Sequence, residues 1–156
     1  DNTKGTNWVE FYREKRLGYI YNLINLSFPM EVSINKKIEM LIKNLHNFIP
    51  KSPRASLLHG DLWEGNILFK NKKFVGFIDP GTFYGHNELE IAYLTWFNPA
   101  FIKNGFLDEY NNKINIDKEY KNYEPIYQLY YSLLNVYLWD RKYIEDVERL
   151  LKKIKI

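Results

Sequence analysis

Apolar residues recur at helical spacing through the first third of the chain. Two stretches, Trp8–Leu26 and Val32–Phe48, each place their apolar residues on one helical face, which predicts two helices. Asn7 is the predicted N-cap of the first helix, because Glu10 follows it by three residues as in a capping box. Prolines follow each stretch and end the helices, since proline has no amide hydrogen to donate.

The pattern changes in the middle of the chain. Two short apolar runs, Ile67–Phe69 and Phe74–Ile78, flank the polar segment Lys70–Lys73 and predict a β-hairpin. The turn residues Asp79-Pro80-Gly81 end this hairpin. A shorter apolar run, Ser56–Leu58, leads into a polar segment that begins at position 59.

Helical spacing returns after the hairpin. The predicted helices are Asn87–Phe97, Pro99–Asn111, Tyr123–Asp140 and Lys142–Ile154, with a polar loop over Asn111–Lys121. An aromatic stripe lies on the third of these helices, and we expect it to pack in a core: Tyr127, Tyr130, Tyr131, Tyr137 and Trp139. The predicted fold class is therefore mainly α with a small β-hairpin insert.

Composition excludes several classes of protein. The chain has 156 residues, of which 46% are hydrophobic and 17% aromatic, enough for a packed core and too many for a disordered chain. It has no cysteine, which excludes disulfide scaffolds, thiol nucleophiles and cysteine-ligated metal sites. A net charge of +3 is too small to indicate a nucleic-acid partner. No apolar run reaches a membrane span and no signal-peptide pattern is present, so we expect a cytoplasmic protein without a membrane partner.

Three polar residues around the hairpin indicate chemistry. Asp61 lies near the start of the loop before the hairpin, Asn66 lies where this loop meets the first strand, and Asp79 directly follows the returning strand. Because a hairpin brings its outer ends together, Asn66 and Asp79 should be neighbours although thirteen positions separate them in the sequence. An amide oxygen with carboxylates suits a hard cation such as Mg²⁺, which also binds substrate phosphates.

The spacing matches the phosphoryl-transfer pattern of protein kinases. There an aspartate accepts the proton of the substrate hydroxyl, an asparagine after four intervening residues holds metal, and a later aspartate before a glycine holds metal too. His59 stands where that pattern has its leading histidine, and we expect a structural role for it. Taken singly, Asp61, Asn66 and Asp79 are ordinary turn residues. Taken together around a hairpin, they indicate a kinase-like site.

Other chemistries lack their patterns. The sequence contains neither a Gly-x-x-x-x-Gly-Lys nor a Gly-x-Gly-x-x-Gly loop, and no Gly-x-Ser-x-Gly elbow. The three histidines, His46, His59 and His86, are scattered without zinc-ligand spacing.

The run from Leu57 to Asn66, which includes His59-Gly60-Asp61-Leu62-Trp63, resembles the catalytic loop of the fructosamine kinase (ketosamine-3-kinase) family. That family belongs to the aminoglycoside-phosphotransferase branch of the protein-kinase-like fold. Similar segments support the resemblance from Trp8 to about Leu151: Trp8–Leu17, Phe77–Pro80, Phe83–Gly85, Glu88–Ala92 and Ile126–Asn135.

The resemblance implies a reaction and roles for residues. It implies ATP-dependent phosphorylation of a sugar hydroxyl on a small-molecule or protein-linked ketosamine, with ATP and Mg²⁺ as cofactors. Asp61 is then the catalytic base, and Asn66 and Asp79 are the Mg²⁺ ligands. Trp63 has either a substrate-side role or a loop-packing role, and Glu90 supports the catalytic loop.

Two departures from the family pattern, and two alternatives, accompany this prediction. His86-Asn87-Glu88 stands where an Asp-Arg-Glu type of segment is usual, and Glu90 where aspartate is common. We expect both to affect substrate identity more than phosphoryl transfer.

One alternative function is transfer to another small alcohol, such as an aminoglycoside or choline. The other is a non-catalytic kinase lobe that acts as a binding module, although such a lobe would not need all three polar residues.

The resemblance also implies a second lobe. In kinases an N-terminal lobe supplies a glycine-rich loop, a strand lysine and its glutamate partner. The chain begins with Asp1 instead of Met, and its first seven residues are too few and too polar for such a lobe. We therefore expect residues 1–7 to be a lead-in between lobes and residues 8–156 to be the C-terminal lobe of a longer enzyme. For the chain as given, this predicts weak or absent nucleotide binding and negligible turnover.

Overall fold

The computed structural model describes residues 7–99, 102 and 105–155, which are mainly helical with two small β-ribbons. The helices are α1 (Trp8–Tyr12), α2 (Gly18–Ser27), α3 (Val32–Lys43), α4 (Asn87–Phe97), α5 (Phe106–Asn111), α6 (Tyr120–Leu138) and α7 (Ile144–Lys153). The strands are β1 (Ala55–Leu58), β2 (Ile67–Lys70), β3 (Lys73–Phe77) and β4 (Phe83–His86). None of the described helices is both long and apolar enough to cross a membrane.

The predicted first helix is helical throughout but not uniformly α. A π-helical turn, Arg13–Leu17, joins α1 to α2 without a break. Asn7 caps α1 as predicted, because its side-chain oxygen accepts the amide hydrogen of Glu10 at 3.0 Å. The apolar periodicity does not distinguish such a widened turn from a regular α-helical one.

The predicted hairpin is confirmed as β2 and β3, which pair antiparallel from Ile67↔Phe77 to Lys70↔Lys73. Asn71 and Lys72 form its two-residue turn with φ of 51° and 62°. The sequence analysis missed a second ribbon, in which β1 pairs antiparallel with β4. Its strands are four residues each and far apart in sequence, so no local turn signal joins them.

One predicted helix is wrong over its first part. The expectation was a helix over Pro99–Asn111, but α5 begins only at Phe106. Asn98 ends α4 in the left-handed conformation, with φ 49°, and Gly105 precedes α5 with φ 91°. Residues 100, 101, 103 and 104 of that predicted helix lie outside the described residues.

The chain divides into two compact units. One takes the described residues up to Pro53 and those from Lys121 onward, and the other spans Arg54–Tyr120. The core of the first unit contains these fully buried side chains: Tyr12, Leu17, Ile24, Ile38, Leu41, Leu45, Ile126, Tyr127, Leu129 and Leu133. In the second unit α4 contributes most of the core, through Leu89, Ile91 and Ala92.

The aromatic stripe of α6 is only partly in the core. Tyr127 and Tyr131 are buried, and the Tyr127 hydroxyl accepts the indole hydrogen of Trp8 at 2.7 Å. Tyr137 and Trp139 are exposed, which corrects the expectation that the whole stripe packs inside. Tyr137 lies in the last turn of α6, and Trp139 directly follows the helix.

Candidate active site

Two loops of the second unit are held side by side by both β-ribbons. The first loop follows β1 and runs from His59 to Asn66, where a 3₁₀ turn (Glu64–Asn66) leads into β2. The second runs from Ile78 to Thr82, between β3 and β4. Because β1 pairs with β4 and β2 pairs with β3, each end of the first loop starts beside an end of the second. The ribbon that the sequence analysis missed is therefore half of the scaffold of the site.

Gly60 lets the two loops touch. Its φ is +83°, a conformation that favours glycine because it has no Cβ. A Cβ at this position would collide with the carbonyl oxygen of Gly81 and press on the ring of Phe83 at 3.3 Å. The first loop thus passes directly against the backbone of the second.

Asp61 and Asn66 form a bonded pair within the first loop. The Nδ2 of Asn66 donates to the backbone oxygen of Asp61 at 2.8 Å and to its carboxylate Oδ2 at 3.2 Å. Asn66 is 5% exposed, whereas the Asp61 side chain is open to solvent. The amide nitrogen therefore orients the Asp61 carboxylate, and the amide oxygen is the atom with which Asn66 could bind a metal.

Asp79 is placed next to this pair through the backbone. The amide of Ile78 donates to the carbonyl oxygen of Asn66 at 3.0 Å, so the following residue, Asp79, begins beside Asn66. Asp79 has φ +50°, which is uncommon for a residue with a side chain and occurs often at functional sites. Its side chain is exposed. The structure thus brings together the three residues that the sequence predicted.

His59 ties the two loops together through its ring. Its Nε2 lies 3.0 Å from the carbonyl oxygen of Ile78, and the amide of Asp61 donates to its Nδ1 at 3.4 Å. These contacts fit one neutral tautomer, in which Nε2 carries the hydrogen and Nδ1 accepts. The structural role predicted for His59 matches this geometry.

Glu90 holds the start of the first loop from α4. Its Oε1 accepts the amide hydrogen of Gly60 at 2.8 Å, and its Oε2 accepts that of His59 at 3.3 Å. Burial raises the pKa of the Glu90 carboxyl, and these two backbone donors partly oppose the rise. The longer glutamate side chain therefore still reaches the loop, where the family pattern has aspartate.

Trp63 lies on the exposed side of the first loop. Its indole covers Gly65, where a Cβ would strike the six-membered ring, and its edge approaches Phe97 with ring centroids 6.5 Å apart. The side chain is 40% exposed. Trp63 thus packs on its own loop and also presents a face to solvent, so both roles predicted for it stay open.

The donor set fits a hard cation bound together with phosphate. Asn66 offers an amide oxygen and Asp79 an exposed carboxylate, the ligand types that Mg²⁺ prefers. In the part of the chain that the structure describes, no three His, Asp or Glu side chains converge as a metal cluster. A cation at this site would therefore complete its shell with water or phosphate oxygens.

A family model for fructosamine kinase matches residues 1–156, which is the whole chain. The chain belongs to the fructosamine kinase family. A protein assigned as a ketoamine kinase in Enterococcus faecium is 32% identical over 155 residues, covering 97% of this chain and 54% of the relative. The chloroplastic protein-ribulosamine 3-kinase of Arabidopsis thaliana is 32% identical over 159 residues, covering 97% of this chain and 48% of the relative.

Solved structures agree with this family. A protein assigned as a fructosamine-3-kinase in Thermobifida fusca superposes with a TM-score of 0.85 at 26% identity, covering 98% of this chain and 52% of that chain. A similar protein of Haemophilus somnus gives a TM-score of 0.79 at 25% identity and is covered over 52% of its length. The chain thus spans about half the length of the relatives it matches.

The departure at His86-Asn87-Glu88 from the fructosamine kinase pattern is buried. His86, Asn87 and Glu88 are 5%, 7% and 1% exposed. Glu88 accepts the amide hydrogen of Asp117, and its other oxygen lies 3.4 Å from the His86 Nε2. Burial lowers the pKa of His86 to about 4, although the Asp117 carboxylate acts in the opposite direction, so His86 is neutral at pH 7. These positions therefore act through packing and internal hydrogen bonds.

Sequence reasoning missed the contribution of the backbone to this site. The Gly60 conformation and the Ile78 amide position Asp61 and Asp79, yet neither had been singled out. The available signal was a glycine directly before the predicted base, since glycine often marks a positive φ or a close backbone approach.

Proposed function

We propose that this chain is the catalytic part of an ATP-dependent kinase that phosphorylates a sugar hydroxyl of ketosamines. The observation that carries the proposal is the bonded arrangement of Asp61 and Asn66 beside Asp79. The ketosamine acceptor is supported by relatives that are named ketoamine kinase and protein-ribulosamine 3-kinase. The substrate is either a small molecule or a sugar adduct on a protein.

Asp61 is the proposed general base. Its carboxylate is solvent-accessible and is held in one orientation by the Asn66 amide. As the acceptor oxygen bonds to the γ-phosphorus of ATP, the bond to the leaving ADP oxygen breaks, and the hydroxyl proton passes to Asp61. The His59 and Glu90 contacts keep the loop in place, so the carboxylate needs little reorganisation during the reaction.

Asn66 and Asp79 are the proposed ligands of Mg²⁺. The Asn66 nitrogen is occupied by Asp61, which leaves its oxygen for the cation, and Asp79 supplies a carboxylate next to it. A bound Mg²⁺ would supply charge neutralisation at the phosphate oxygens of ATP. The left-handed φ of Asp79 is consistent with a conformation kept for this purpose.

We also propose that residues 8–156 act as the C-terminal lobe of a two-lobed enzyme. The relatives are about twice as long as this chain, so they have room for a lobe that grips ATP. Leu68 lies two positions from Asn66 and is 41% exposed, and Ile78 directly precedes Asp79 and is 37% exposed. Phe69 and Val75 of the same hairpin are more exposed. An apolar surface of this kind beside a phosphate site suits contact with such a lobe and with the adenine of ATP. The cytoplasmic setting stays a prediction.

A chimaera tests the proposed function. The matching part of the Enterococcus faecium relative is replaced with this chain, and phosphorylation of fructoselysine by ATP–Mg²⁺ is followed by transfer of labelled phosphate. We expect phosphorylation, and we expect Asp61→Asn to lower kcat by at least about a hundredfold, the usual contribution of a general base. Glu64→Gln, a charge-neutralising change on the same loop, is the matched control and should keep most of the activity.

The same chimaera separates the acceptor alternatives. Fructoselysine, a glycated protein, an aminoglycoside and choline are compared at equal concentrations. Preference for the ketosamines supports the proposal, whereas preference for the aminoglycoside or choline would replace the acceptor and keep the phosphoryl-transfer chemistry. A folded chimaera without transfer to any acceptor would favour the non-catalytic binding module.

A further inference from the structure

A cavity of about 290 Å³ lies in the second unit, beside the predicted catalytic loop. The hairpin, α4 and α5 line it, together with Leu62 of the loop and Ile102, and it is open to solvent on one side. Its walls are largely apolar and include three aromatic rings: Phe74, Phe77 and Phe106. The volume is close to the lower limit of typical ligand pockets, about 300 Å³.

Three polar side chains of the cavity, Asn87, Glu90 and Tyr110, stand among these apolar walls. The Nδ2 of Asn87 is engaged, since it donates to the Tyr110 hydroxyl at 3.3 Å. Burial raises the pKa of Tyr110, and the negative charges of Glu90 and Glu88 add to this rise, so two carboxylates act on this part of the cavity. It therefore favours a cation over an anion.

Glu90 supplies that charge without a cationic side chain to balance it. Within the described residues, its contacts are the amides of His59 and Gly60, and neither lysine nor arginine forms an ion pair with it. Each carboxylate oxygen can accept a second hydrogen bond. A carboxylate in an apolar cavity gains most from a donor that is itself charged.

We propose that this cavity binds a small organic amine in its protonated form. Its ammonium group would donate to the Glu90 carboxylate, and its apolar tail would lie among the aromatic walls. The rings of Phe74, Phe77 and Phe106 suit such a tail and can also face an ammonium group. A sugar does not suit the cavity, because most of its hydroxyls would be buried without partners. The site is therefore distinct from the proposed site of phosphoryl transfer.

A ligand in the cavity would change the hydrogen bonds that hold the predicted catalytic loop. An ammonium group on Glu90 shares the carboxylate with the amides of His59 and Gly60, which are the first residues of that loop. The amide resonances of these two residues are thus direct reporters of binding. They respond even in a chain that does not turn over, so the test does not depend on the proposed function.

The test is a titration of the ¹⁵N-labelled 156-residue chain with phenethylammonium at pH 7.5, followed by NMR. We expect saturable shifts of the His59 and Gly60 amides, with an affinity at least about tenfold higher than for 2-phenylethanol, which has the same tail without the charge. Leu94→Phe fills the cavity from α4 and should abolish the shifts, whereas Leu57→Phe, the same substitution at an exposed leucine, should keep them.

The proposal fails if the folded chain shows no saturable shifts of these amides. It also fails if 2-phenylethanol binds as tightly as the amine, or if Leu94→Phe binds as well as the parent chain. Should Leu94→Phe not fold, Ile91→Met, which changes the shape of the same wall, is compared in its place and should weaken binding at least about threefold.

Discussion

Gly60 determines how closely the two loops of the site approach each other. Its backbone is in the left-handed region, and the space where a Cβ would project is occupied by the Gly81 carbonyl. Any other residue at this position would either strain the backbone or separate the loops. Asp61, the next residue, would then move away from Asp79.

Gly60→Ala should destabilise the chain by at least about 1–2 kcal/mol, because a left-handed φ is unfavourable for alanine and its Cβ would collide with the Gly81 carbonyl. Urea unfolding measures the difference. Gly76→Ala is the matched control, since a Cβ there would meet no atom within 4 Å, and it should be neutral or slightly stabilising. Equal losses for both variants would contradict the close approach of the loops.

His86 should make the stability of the chain depend on pH. Burial lowers its pKa from 6.5 to about 4, so between these values the unfolded chain binds a proton that the folded chain excludes. Stability from this residue is present above pH 6.5 and is lost as the pH falls toward 4, by up to about 3 kcal/mol.

Urea unfolding of a His86→Gln variant between pH 4 and 7 tests this. The free energy of unfolding of the parent chain should fall over this pH range, and that of the variant should fall less, because the variant lacks the His86 contribution. His46→Gln removes an exposed histidine and should behave like the parent. A parent chain and His86→Gln variant with parallel pH profiles would show that His86 is accessible to protons in the folded state.

The β2–β3 hairpin is the element that joins Asn66 to Asp79. Its turn residues, Asn71 and Lys72, both have positive φ, the conformation for which Asn-Gly is the favoured pair. The register shifts between Leu68 and Phe69, so that Val75 is an extra residue in β3. Asn71 therefore suits the left-handed conformation of this turn better than Lys72 does.

Lys72→Gly should stabilise the chain by about 1 kcal/mol, because glycine relieves the left-handed φ of 62° at that position. The urea midpoint should rise with an unchanged m-value. Lys73→Gly, the same substitution one residue later and inside β3, should instead lower stability by about 0.5–1 kcal/mol. A loss of stability in Lys72→Gly would indicate that the turn has another conformation.

Local and non-local elements differ in how well the sequence predicted them. The helices α1–α3 and the β2–β3 hairpin follow from patterns within short segments. Their starts were predicted closely, but the predicted helix Val32–Phe48 is α-helical only to Lys43 and is followed by a 3₁₀ turn over Leu45–Asn47. The start of α5 was predicted too early, because apolar spacing continues through Pro99 and Ile102, neither of which is helical. The β1–β4 ribbon has no local signal at all.

At the scale of the whole molecule, the exposed apolar side chains of the second unit concentrate on its ribbons. The first unit has a large core built on its helices and a few exposed apolar side chains, such as Leu26, Val32 and Trp139. The second presents these apolar side chains from its ribbons: Leu57, Leu68, Phe69, Phe74, Val75, Phe77 and Tyr84. Exposed apolar surface of this extent is typical of an interaction surface. It agrees with the proposal that a further lobe covers these ribbons in the intact enzyme.

The chain by itself should bind ATP–Mg²⁺ weakly or not at all. Asn66 and Asp79 are its proposed ligands for the cation, but the described residues include no glycine-rich loop with a strand lysine for the phosphates. Isothermal titration calorimetry of ATP–Mg²⁺ into the folded chain measures this. Micromolar affinity would show that these residues suffice to grip the nucleotide, and the proposed need for a second lobe would be wrong.

The sequence by itself singled out the residues of the proposed site, because Asp61, Asn66 and Asp79 surround a hairpin that local turn signals predict. Only the tertiary structure decided how they are held. Leu58 pairs with Phe83 across 25 positions, and Glu90 reaches back to the amides of His59 and Gly60 across about 30. Such contacts depend on packing between distant segments, which a periodic pattern within one segment does not encode.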